Sequence, residues 1–332
     1  MNRPRTLDIH THILTEEMIG LIRKEAPKVA PRMTAIDTDN FVLEIAGTPY
    51  RPFPRGGFDL ERRFADMNAA EVDVQVLSAT PQSYLYGEEP SLTVTCSIIQ
   101  NDQIAKLVAT HPDRFLGIAT LPMQAPLLAA DELRRAVTKL GLRGAMIGSN
   151  VLGRNLDHPE LEPIWATASE LDALLLIHPV NVGAADRLGS YYLNNLIGNP
   201  LDTTIAAACL VFGGVLERHP KLRVCLVHGG GFVPYQAGRW AHGWHVRPEP
   251  KVHLKQSPEP WIERFYYDTI LHSRQNLEFL VRSAGVARVM LGSDYPYDMG
   301  TGECVRQVRA LSIPEADKAT VLSTQAWSLL RA

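Results

Sequence analysis

Two histidines near the start of the chain have a spacing that suits metal binding. His10 and His12 lie in the segment Asp8-Ile9-His10-Thr11-His12, at the end of a strand-like run. Successive side chains of a β-strand point to opposite faces, so these two imidazoles point the same way. A neutral imidazole is a common metal ligand near neutral pH. The pair therefore predicts a metal site, provided that other strand ends supply further ligands.

Three more residues of ligand type end later strand-like runs, namely His178, His228 and Asp294. In a barrel of parallel strands the active site lies at the C-terminal strand ends, so all five side chains would meet at one mouth. Zinc-type sites use three or four nitrogen or oxygen ligands and leave a position for water. We predict that His10, His12, His178 and Asp294 bind the metal and that Asp294 also takes part in catalysis.

One metal ion is favoured over a bridged pair. Some barrel hydrolases bridge two ions with a lysine on the fourth strand, but the predicted fourth strand, 142–150, contains neither lysine nor glutamate. Lys139 precedes this strand and would lie at the opposite end of the barrel. The pattern predicts a mononuclear site.

His228 has two possible roles. It is followed by Gly229-Gly230-Gly231, and glycines permit close approach of a substrate to the backbone. One interpretation makes His228 a general base that acts on water activated by the metal. The other makes it a fifth ligand.

The ligands must be positioned by eight short strand-like runs, which helix-like segments separate. Several runs are nearly continuous in apolar residues, as in parallel strands covered on both faces. Eight such units predict a (β/α)8 TIM barrel of the α/β class. An open doubly wound sheet is the alternative. The predicted strands are 5–13, 72–79, 115–122, 142–150, 173–179, 222–230, 265–269 and 288–296.

Helices are predicted between and after these strands. Asp59 and Ser91 are plausible N-caps of two of them. The predicted helices are 59–70, 91–109, 126–140, 159–171, 201–218, 273–284 and 314–330.

Residues 15–58 interrupt the alternation and are too long for an ordinary loop. They contain the apolar run 41–45 followed by Gly47-Thr48-Pro49-Tyr50-Arg51-Pro52, which predicts a small inserted hairpin on the catalytic face. Residues 181–200 are predicted to form a substrate loop, and 242–260 a third irregular region. We treat 1–332 as a single barrel domain.

Composition excludes several classes of protein. The net charge of −3 gives no reason to expect nucleic acid or an anionic membrane as a partner. The longest apolar stretch, 205–216, is shorter than the roughly 20 residues that a membrane span needs. The four cysteines are scattered, as in reduced proteins. A cytoplasmic protein is the expectation.

Three arginines are predicted near the mouth. Arg51 lies in the insertion, and Arg239 and Arg247 follow the sixth strand. Guanidinium groups bind carboxylates through two parallel hydrogen bonds, so a small carboxylic acid is the expected substrate.

Taken together, the motifs resemble those of the amidohydrolase superfamily, and within it of the aminocarboxymuconate-semialdehyde decarboxylase group. The resemblance covers nearly the whole chain. Its motifs are Asp8-Ile9-His10-Thr11-His12, Val72-Asp73-Val74-Gln75-Val76, His178-Pro179, His228-Gly229-Gly230-Gly231, Gly238-Arg239 and Met290-Leu291-Gly292-Ser293-Asp294-Tyr295-Pro296.

The resemblance implies non-oxidative C–C cleavage with release of CO2 at one zinc ion, or manganese in some relatives. It implies that His228 is the acid/base and that Arg51 and Arg247 hold the substrate carboxylate. Arg239 would reach the neighbouring subunit's site, which makes a homodimer the working unit.

The chain departs from the group after His178-Pro179. Val180-Asn181 replaces the usual Trp-Asp, and Tyr191-Tyr192 stands where the group carries tryptophan. Tyr191 is therefore predicted to contact the substrate and to alter the pocket. Hydrolysis or hydration of a lactone or enol acid is the alternative activity, since activated water serves both. The third possibility is a metal-binding barrel that has no enzymatic activity.

Overall fold

Eight parallel strands close into a barrel in a computed structural model of the protein. The structure describes residues 5–331. Within that range the strands are β1 (Leu7–Ile13), β2 (Arg32–Ala35), β3 (Asn40–Ile45), β4 (Thr48–Pro54), β5 (Val74–Ala79), β6 (Phe115–Gly117), β7 (Gly144–Gly148), β8 (Leu174–His178), β9 (Arg223–Leu226), β10 (Tyr266–Asp268) and β11 (Val289–Met290).

Helices surround the barrel and fill the connections between its strands. They are α1 (Glu16–Glu25), α2 (Leu60–Ala69), α3 (Pro90–Thr110), α4 (Pro126–Thr138), α5 (Glu162–Glu170), α6 (Asn199–Phe212), α7 (Val215–Arg218), α8 (Val233–Val246), α9 (Glu259–Ile262), α10 (Arg274–Ala284), α11 (Cys304–Arg309), α12 (Glu315–Ala319) and α13 (Gln325–Leu330). A π-helical turn, Asn194–Gly198, leads into α6, and another, Thr320–Thr324, joins α12 to α13.

The strand order around the barrel is β1, β5, β6, β7, β8, β9, β10 and β11. Two parallel bridges complete the ring, Ala119 with Ala145 and Thr11 with Tyr295. All eight predicted strands are confirmed, with shorter bounds. The predicted closed barrel is also confirmed, and the alternative of an open doubly wound sheet is excluded. Closure matters for the site because it brings β1 beside the segment after β11.

The barrel strands are buried on both faces, as their apolar sequences predicted. Every residue of β8 (Leu-Leu-Leu-Ile-His) is buried, and so is every residue of β5. Parallel strands covered by helices outside and packed side chains inside read as continuous apolar runs. A polar histidine at the end of such an apolar run can therefore be recognised in the sequence as a candidate site residue.

The insertion is larger than the predicted hairpin. It contains α1 and an antiparallel sheet in the order β2, β3, β4. Leu43, Ile45 and Phe53 are buried and fix this sheet to the barrel core. β2 was missed because its Arg-Met-Thr-Ala sequence is largely exposed and has no apolar alternation.

Helix ends differ from the prediction at several places. Asp59 and Ser273 cap α2 and α10 with their side chains, whereas α3 begins at Pro90 after Glu89, so Ser91 is not its cap. The predicted helix 201–218 is divided at Gly213 and Gly214, where Gly214 has a left-handed φ of 70°. Within residues 5–331 no helix is both long and apolar enough to cross a bilayer.

Candidate metal centre

Four predicted ligands converge at the C-terminal mouth of the barrel. His10 and His12 come from β1, His178 ends β8, and Asp294 follows β11. One ligand atom from each lies within 4.8 Å of all the others, and all four residues are buried. His12 Nε2 lies 3.1 Å from His10 Nε2 and 3.1 Å from Asp294 Oδ1. Four ligands at about 2.0–2.1 Å around a tetrahedral ion lie roughly 3.3 Å apart, so this spacing fits one ion.

The second ring nitrogen of each ligand histidine faces a hydrogen-bond acceptor. His10 Nδ1 lies 2.8 Å from Asp268 Oδ2, His12 Nδ1 lies 3.3 Å from the Ala79 carbonyl, and His178 Nδ1 lies 3.0 Å from the Pro179 carbonyl. Each Nδ1 therefore donates its hydrogen, and each Nε2 keeps its lone pair. Three lone pairs and a carboxylate oxygen that face one another repel unless a cation lies between them. This donor set fits a divalent metal ion.

The site is suited to a single ion. Among residues 5–331, one cluster of this kind is found, and β7 adds no ligand to it. The sequence argument from the missing lysine is therefore consistent with the geometry.

Asp268 at the end of β10 is a functional residue that the sequence reasoning missed. Its side chain is fully buried. Besides His10, it accepts hydrogen bonds from the backbone N–H groups of His228 and Gly229, at 2.9 and 2.8 Å. One carboxylate thus orients a metal ligand and also fixes the backbone of the predicted acid/base. The only sequence signal was its position at a strand end.

His228 differs from the ligand histidines in how its ring is held. Its Nε2 lies 3.3 Å from Asp294 Oδ2, and its Nδ1 is buried without a hydrogen-bond partner in the described part of the chain. The ring lies 5.4 Å, centroid to centroid, from those of both His10 and His178. If Nε2–H donates to Asp294, Nδ1 carries a free lone pair beside the metal cluster. This arrangement favours a proton-transfer role over a fifth ligand.

The backbone at His228 is held in a left-handed conformation, with φ of 55°. Such conformations cost free energy for non-glycine residues and concentrate at functional sites. The glycines that follow pack closely against protein atoms: a side chain on Gly229 would collide with Leu271, and one on Gly231 with the Pro200 carbonyl. The absence of their side chains is required by this packing, and the approach of a substrate to this backbone stays a prediction.

Burial and charge set the protonation of the cluster. Burial lowers the pKa of His12, and burial with the neighbouring imidazoles lowers the pKa of His178 well below 6.5. Burial also opposes protonation of His10, but the negative charge of Asp294 and the hydrogen bond to Asp268 outweigh it and raise its pKa above 6.5. Burial would raise the pKa of Asp294, yet the positive charge of His10 and the close contacts with His12 and His228 hold it well below 3.8.

Metal affinity is therefore expected to fall as the pH decreases. Protons and metal compete for Nε2 of His10, whose pKa lies above 6.5, whereas His12 and His178 stay neutral near pH 7. Below the pKa of His10 the apparent affinity should fall about tenfold per pH unit, since one proton is displaced. Competition with a chromophoric chelator between pH 8 and 6 measures this slope. An affinity constant over that range would contradict the expected competition.

Aromatic side chains line the mouth beside the cluster. The ring of Tyr297 lies 5.1 Å from that of His12, and the ring of Tyr50, from β4 of the insertion, lies 5.4 Å from that of Tyr297. Tyr84 and Tyr86, after β5, stack with ring centroids 5.5 Å apart. These tyrosines were not predicted as site residues, because isolated aromatic residues carry no spacing signal.

Three of the predicted substrate-binding residues are exposed in the single chain. Arg51 on β4 and Arg239 on α8 are exposed, and neither side chain makes a hydrogen bond or ion pair within residues 5–331. Tyr191 is 87% exposed. In its neighbour Tyr192, burial and the charges of Asp298 and Asp294 raise the pKa of the phenol.

Arg247 was predicted to lie near the mouth, but in the structure it does not lie at the mouth of its own chain. It follows the last residue of α8, which descends from the mouth, and a helix of 14 residues is about 21 Å long. Along that helix Trp240 already packs against Phe212, the last residue of α6. The Arg247 side chain is 64% exposed and pairs with Glu249.

A (β/α)8 barrel with this cluster at its mouth defines a metal-dependent barrel enzyme. The chain belongs to the amidohydrolase family, whose family model, described as Amidohydrolase, matches residues 7–331. It is 35% identical to 2-amino-3-carboxymuconate-6-semialdehyde decarboxylase of Dictyostelium discoideum, over 99% of this chain and 92% of the relative. It is 29% identical to gamma-resorcylate decarboxylase of Rhodococcus jostii, over 80% of this chain and 85% of the relative.

Solved structures agree on the fold. 5-Carboxyvanillate decarboxylase from Sphingomonas paucimobilis superposes with a TM-score of 0.85 at 24% identity and covers 99% of both chains. A dihydroxybenzoic acid decarboxylase from Polaromonas, solved with manganese and 2-nitroresorcinol, gives a TM-score of 0.81 at 24% identity, over 99% of this chain and 97% of that one.

Proposed function

We propose that the protein is a metal-dependent, non-oxidative decarboxylase of a small unsaturated or aromatic carboxylic acid, of the carboxymuconate-semialdehyde type. The observation that carries the proposal is the pairing of two features at one mouth. A set of four ligands, His10, His12, His178 and Asp294, lies beside a fourth histidine whose Nδ1 has no hydrogen-bond partner within residues 5–331. Two relatives, 35% and 29% identical to this chain over the aligned regions, are decarboxylases by name.

His10, His12, His178 and Asp294 would hold one divalent ion, which supplies a positive charge that polarises substrate oxygens and stabilises the charge of the transition state when it is bound. Zinc suits three imidazoles and one carboxylate in tetrahedral geometry. Manganese is the second candidate, because the Polaromonas relative was solved with it.

The chain's own residues would perform the proton chemistry. His228 holds its Nε2–H towards Asp294 Oδ2, and this contact keeps Nδ1 free to exchange a proton. Once Nδ1 has taken up a proton, the His228 imidazolium can deliver it to the substrate carbon that bears the carboxylate. The C–C bond then breaks, its electron pair stays in the unsaturated system of the substrate, and the carboxylate leaves as neutral CO2. Burial of the cluster excludes bulk water and strengthens each electrostatic contact.

An anionic substrate would be held by arginine. Arg51 extends from the insertion at the mouth and has no partner within residues 5–331, so its guanidinium is available for a carboxylate. Arg239 is also without a partner there, and we propose that it reaches the site of a second subunit in a homodimer. Tyr191, exposed in the single chain, would then be covered at the same interface or by the substrate.

Product analysis tests the activity. Metal-loaded enzyme incubated with 2-amino-3-carboxymuconate 6-semialdehyde and with hydroxylated benzoic acids is expected to release one CO2 for each acid consumed. Incorporation of oxygen from H₂¹⁸O into the organic product without CO2 release would instead establish a hydrolase or hydratase.

A shared site predicts recovery of activity in mixed dimers. Arg239→Ala and His228→Gln homodimers should each be nearly inactive. Mixing the two chains gives heterodimers in which one site has His228 from one subunit and Arg239 from the other, while the second site lacks both. Co-expression with two affinity tags isolates these heterodimers, which should show about half of the wild-type kcat. Heterodimers as inactive as the parents would show that Arg239 acts within its own chain, and an active Arg239→Ala homodimer would show that Arg239 is not needed.

A further inference from the structure

The segment 80–86 crosses the mouth from the end of β5 to the end of β7. At one end the Thr80 hydroxyl hydrogen-bonds the Tyr297 hydroxyl, and the Tyr297 ring packs on His12. At the other end the Tyr86 hydroxyl accepts a hydrogen bond from the Gly148 N–H at 3.0 Å, and Gly148 pairs with His178. Both anchors of the segment are therefore adjacent to metal ligands on two different strands.

Tyr84 lies between these anchors with its hydroxyl unsatisfied. The residue is 3% exposed, and its ring stacks on that of Tyr86. Its Oη is buried and has no hydrogen-bond partner in the described part of the chain. Burial raises the pKa of Tyr84 well above 10, and the hydroxyls of Tyr86 and Tyr297 and the charge of Asp294 add to this shift, so the phenol is neutral and carries a hydrogen to donate.

An unpartnered buried hydroxyl needs a physical reason. The large majority of buried polar atoms are hydrogen-bonded, and a buried polar group without a partner lowers the stability of the folded protein. The neighbouring tyrosine shows that this segment can satisfy such a group, because Tyr86 has a backbone partner. The hydroxyl of Tyr84 is instead left for a group that the protein does not itself supply.

We propose that Tyr84 is a specificity-determining residue whose hydroxyl binds a polar substituent of the substrate other than the carboxylate that leaves as CO2. The inference rests on the proposed function and adds a substrate class to it, namely acids with a hydroxyl, carbonyl or second carboxylate group. Sites with a buried hydrogen-bonding group discriminate strongly against analogues that lack the matching group, because the group is then left unpaired.

The test compares Tyr84→Phe with Tyr86→Phe as a matched control, since the two stacked rings each lose one hydroxyl. The probes are benzoate, its hydroxylated derivatives and benzene-1,3-dicarboxylate, together with 2-amino-3-carboxymuconate 6-semialdehyde. Competitive binding to the metal-loaded enzyme gives Ki for each probe, and CO2 release gives kcat/KM for those that react. In wild type, polar substituents should tighten binding.

Tyr84→Phe should weaken binding of the substituted acids by roughly 10–100-fold and leave benzoate unchanged. Tyr86→Phe should keep the wild-type ratio between substituted and unsubstituted acids. A ratio unchanged in Tyr84→Phe would overturn the inference even if CO2 release establishes the proposed function. Failure of every probe to bind or react would instead count against that function.

Thermal unfolding provides a test that needs no substrate. Tyr84→Phe removes an unpartnered hydroxyl, so its Tm should equal or exceed that of wild type. Tyr86→Phe leaves the Gly148 N–H without its acceptor and should unfold at a lower temperature. A loss of Tm in Tyr84→Phe as large as that in Tyr86→Phe would show that the Tyr84 hydroxyl already has a partner, which overturns the inference.

Discussion

Replacing His228 with glutamine is expected to leave the bound metal at the wild-type level and to lower kcat by roughly 10²–10⁴-fold, the usual contribution of general acid–base catalysis. A glutamine side chain places an amide N–H close to the position of Nε2, where it can still donate to Asp294 Oδ2. It has no counterpart of Nδ1, the buried nitrogen that lacks a partner among the described residues. The substitution therefore removes the atom that we propose transfers the proton and keeps the contact to Asp294.

The matched control is His178→Gln, which alters a predicted ligand. His178 uses Nδ1 to donate to the Pro179 carbonyl and directs Nε2 into the cluster. Its replacement should remove both metal and activity, whereas His228→Gln should remove activity alone. Elemental analysis and CO2 release, measured on the same samples, separate the two results. Loss of metal from His228→Gln would support the alternative in which His228 is a fifth ligand.

The strand ends explain why the ligand set could be predicted from the sequence. His10 and His12 share a face of β1 because of the two-residue period, and His178 ends a run that is otherwise apolar. Parallel strands of a barrel place all their C-terminal ends at one mouth. Once the strands were recognised, the convergence of these residues with Asp294 followed from topology. The distances between these residues and their hydrogen-bond partners could not be predicted from the topology.

Asp268 could not be assigned from the sequence because its role depends on a contact with His10, 258 residues earlier in the chain. In Tyr-Tyr-Asp at the end of β10, nothing local distinguishes it from a solvent-facing aspartate. Tyr84 was missed for a similar reason: a hydroxyl without a partner is a property of the folded structure.

The position of Arg247 was predicted wrongly because α8 was not recognised to its end. Pro234, Gly238 and Gly243 all lie within this helix, and glycine costs about 1 kcal/mol of helix propensity in a helix interior. Tertiary packing, including Trp240 against Phe212, outweighs that cost. Residues 242–246 therefore continue the helix and carry Arg247 away from the mouth, instead of forming an irregular loop near it.

Replacing Asp268 with asparagine is expected to weaken metal binding by about 10–100-fold, the usual effect of losing a partner of a metal ligand. Asp268 Oδ2 accepts from His10 Nδ1 and from the His228 N–H, and Oδ1 accepts from the N–H groups of Gly229 and Ile270. Asparagine has one acceptor oxygen. In either orientation of its amide, the NH2 group faces two donors that the carboxylate satisfied.

Both orientations damage the site in a recognisable way. If NH2 faces His10, that ring must accept at Nδ1 and carry its hydrogen on Nε2, the nitrogen that should bind the metal. If NH2 faces Gly229, the loop that holds His228 in its left-handed conformation loses its anchor. The first lowers metal affinity, and the second lowers kcat at saturating metal. Chelator competition and CO2 release at several metal concentrations distinguish these effects.

Asp202→Asn is the matched control, because Asp202 is also a buried carboxylate near the mouth. It accepts from the side chains of Ser149 and Asn150 and from the Gly183 N–H, and it contacts none of the ligand histidines within residues 5–331. Both variants should lose thermal stability, since each leaves buried donors unsatisfied. Only Asp268→Asn should lose metal affinity. Equal metal affinity in the two variants would show that Asp268 supports the barrel without orienting His10, and the cluster would then owe its geometry to β1 and its neighbours alone.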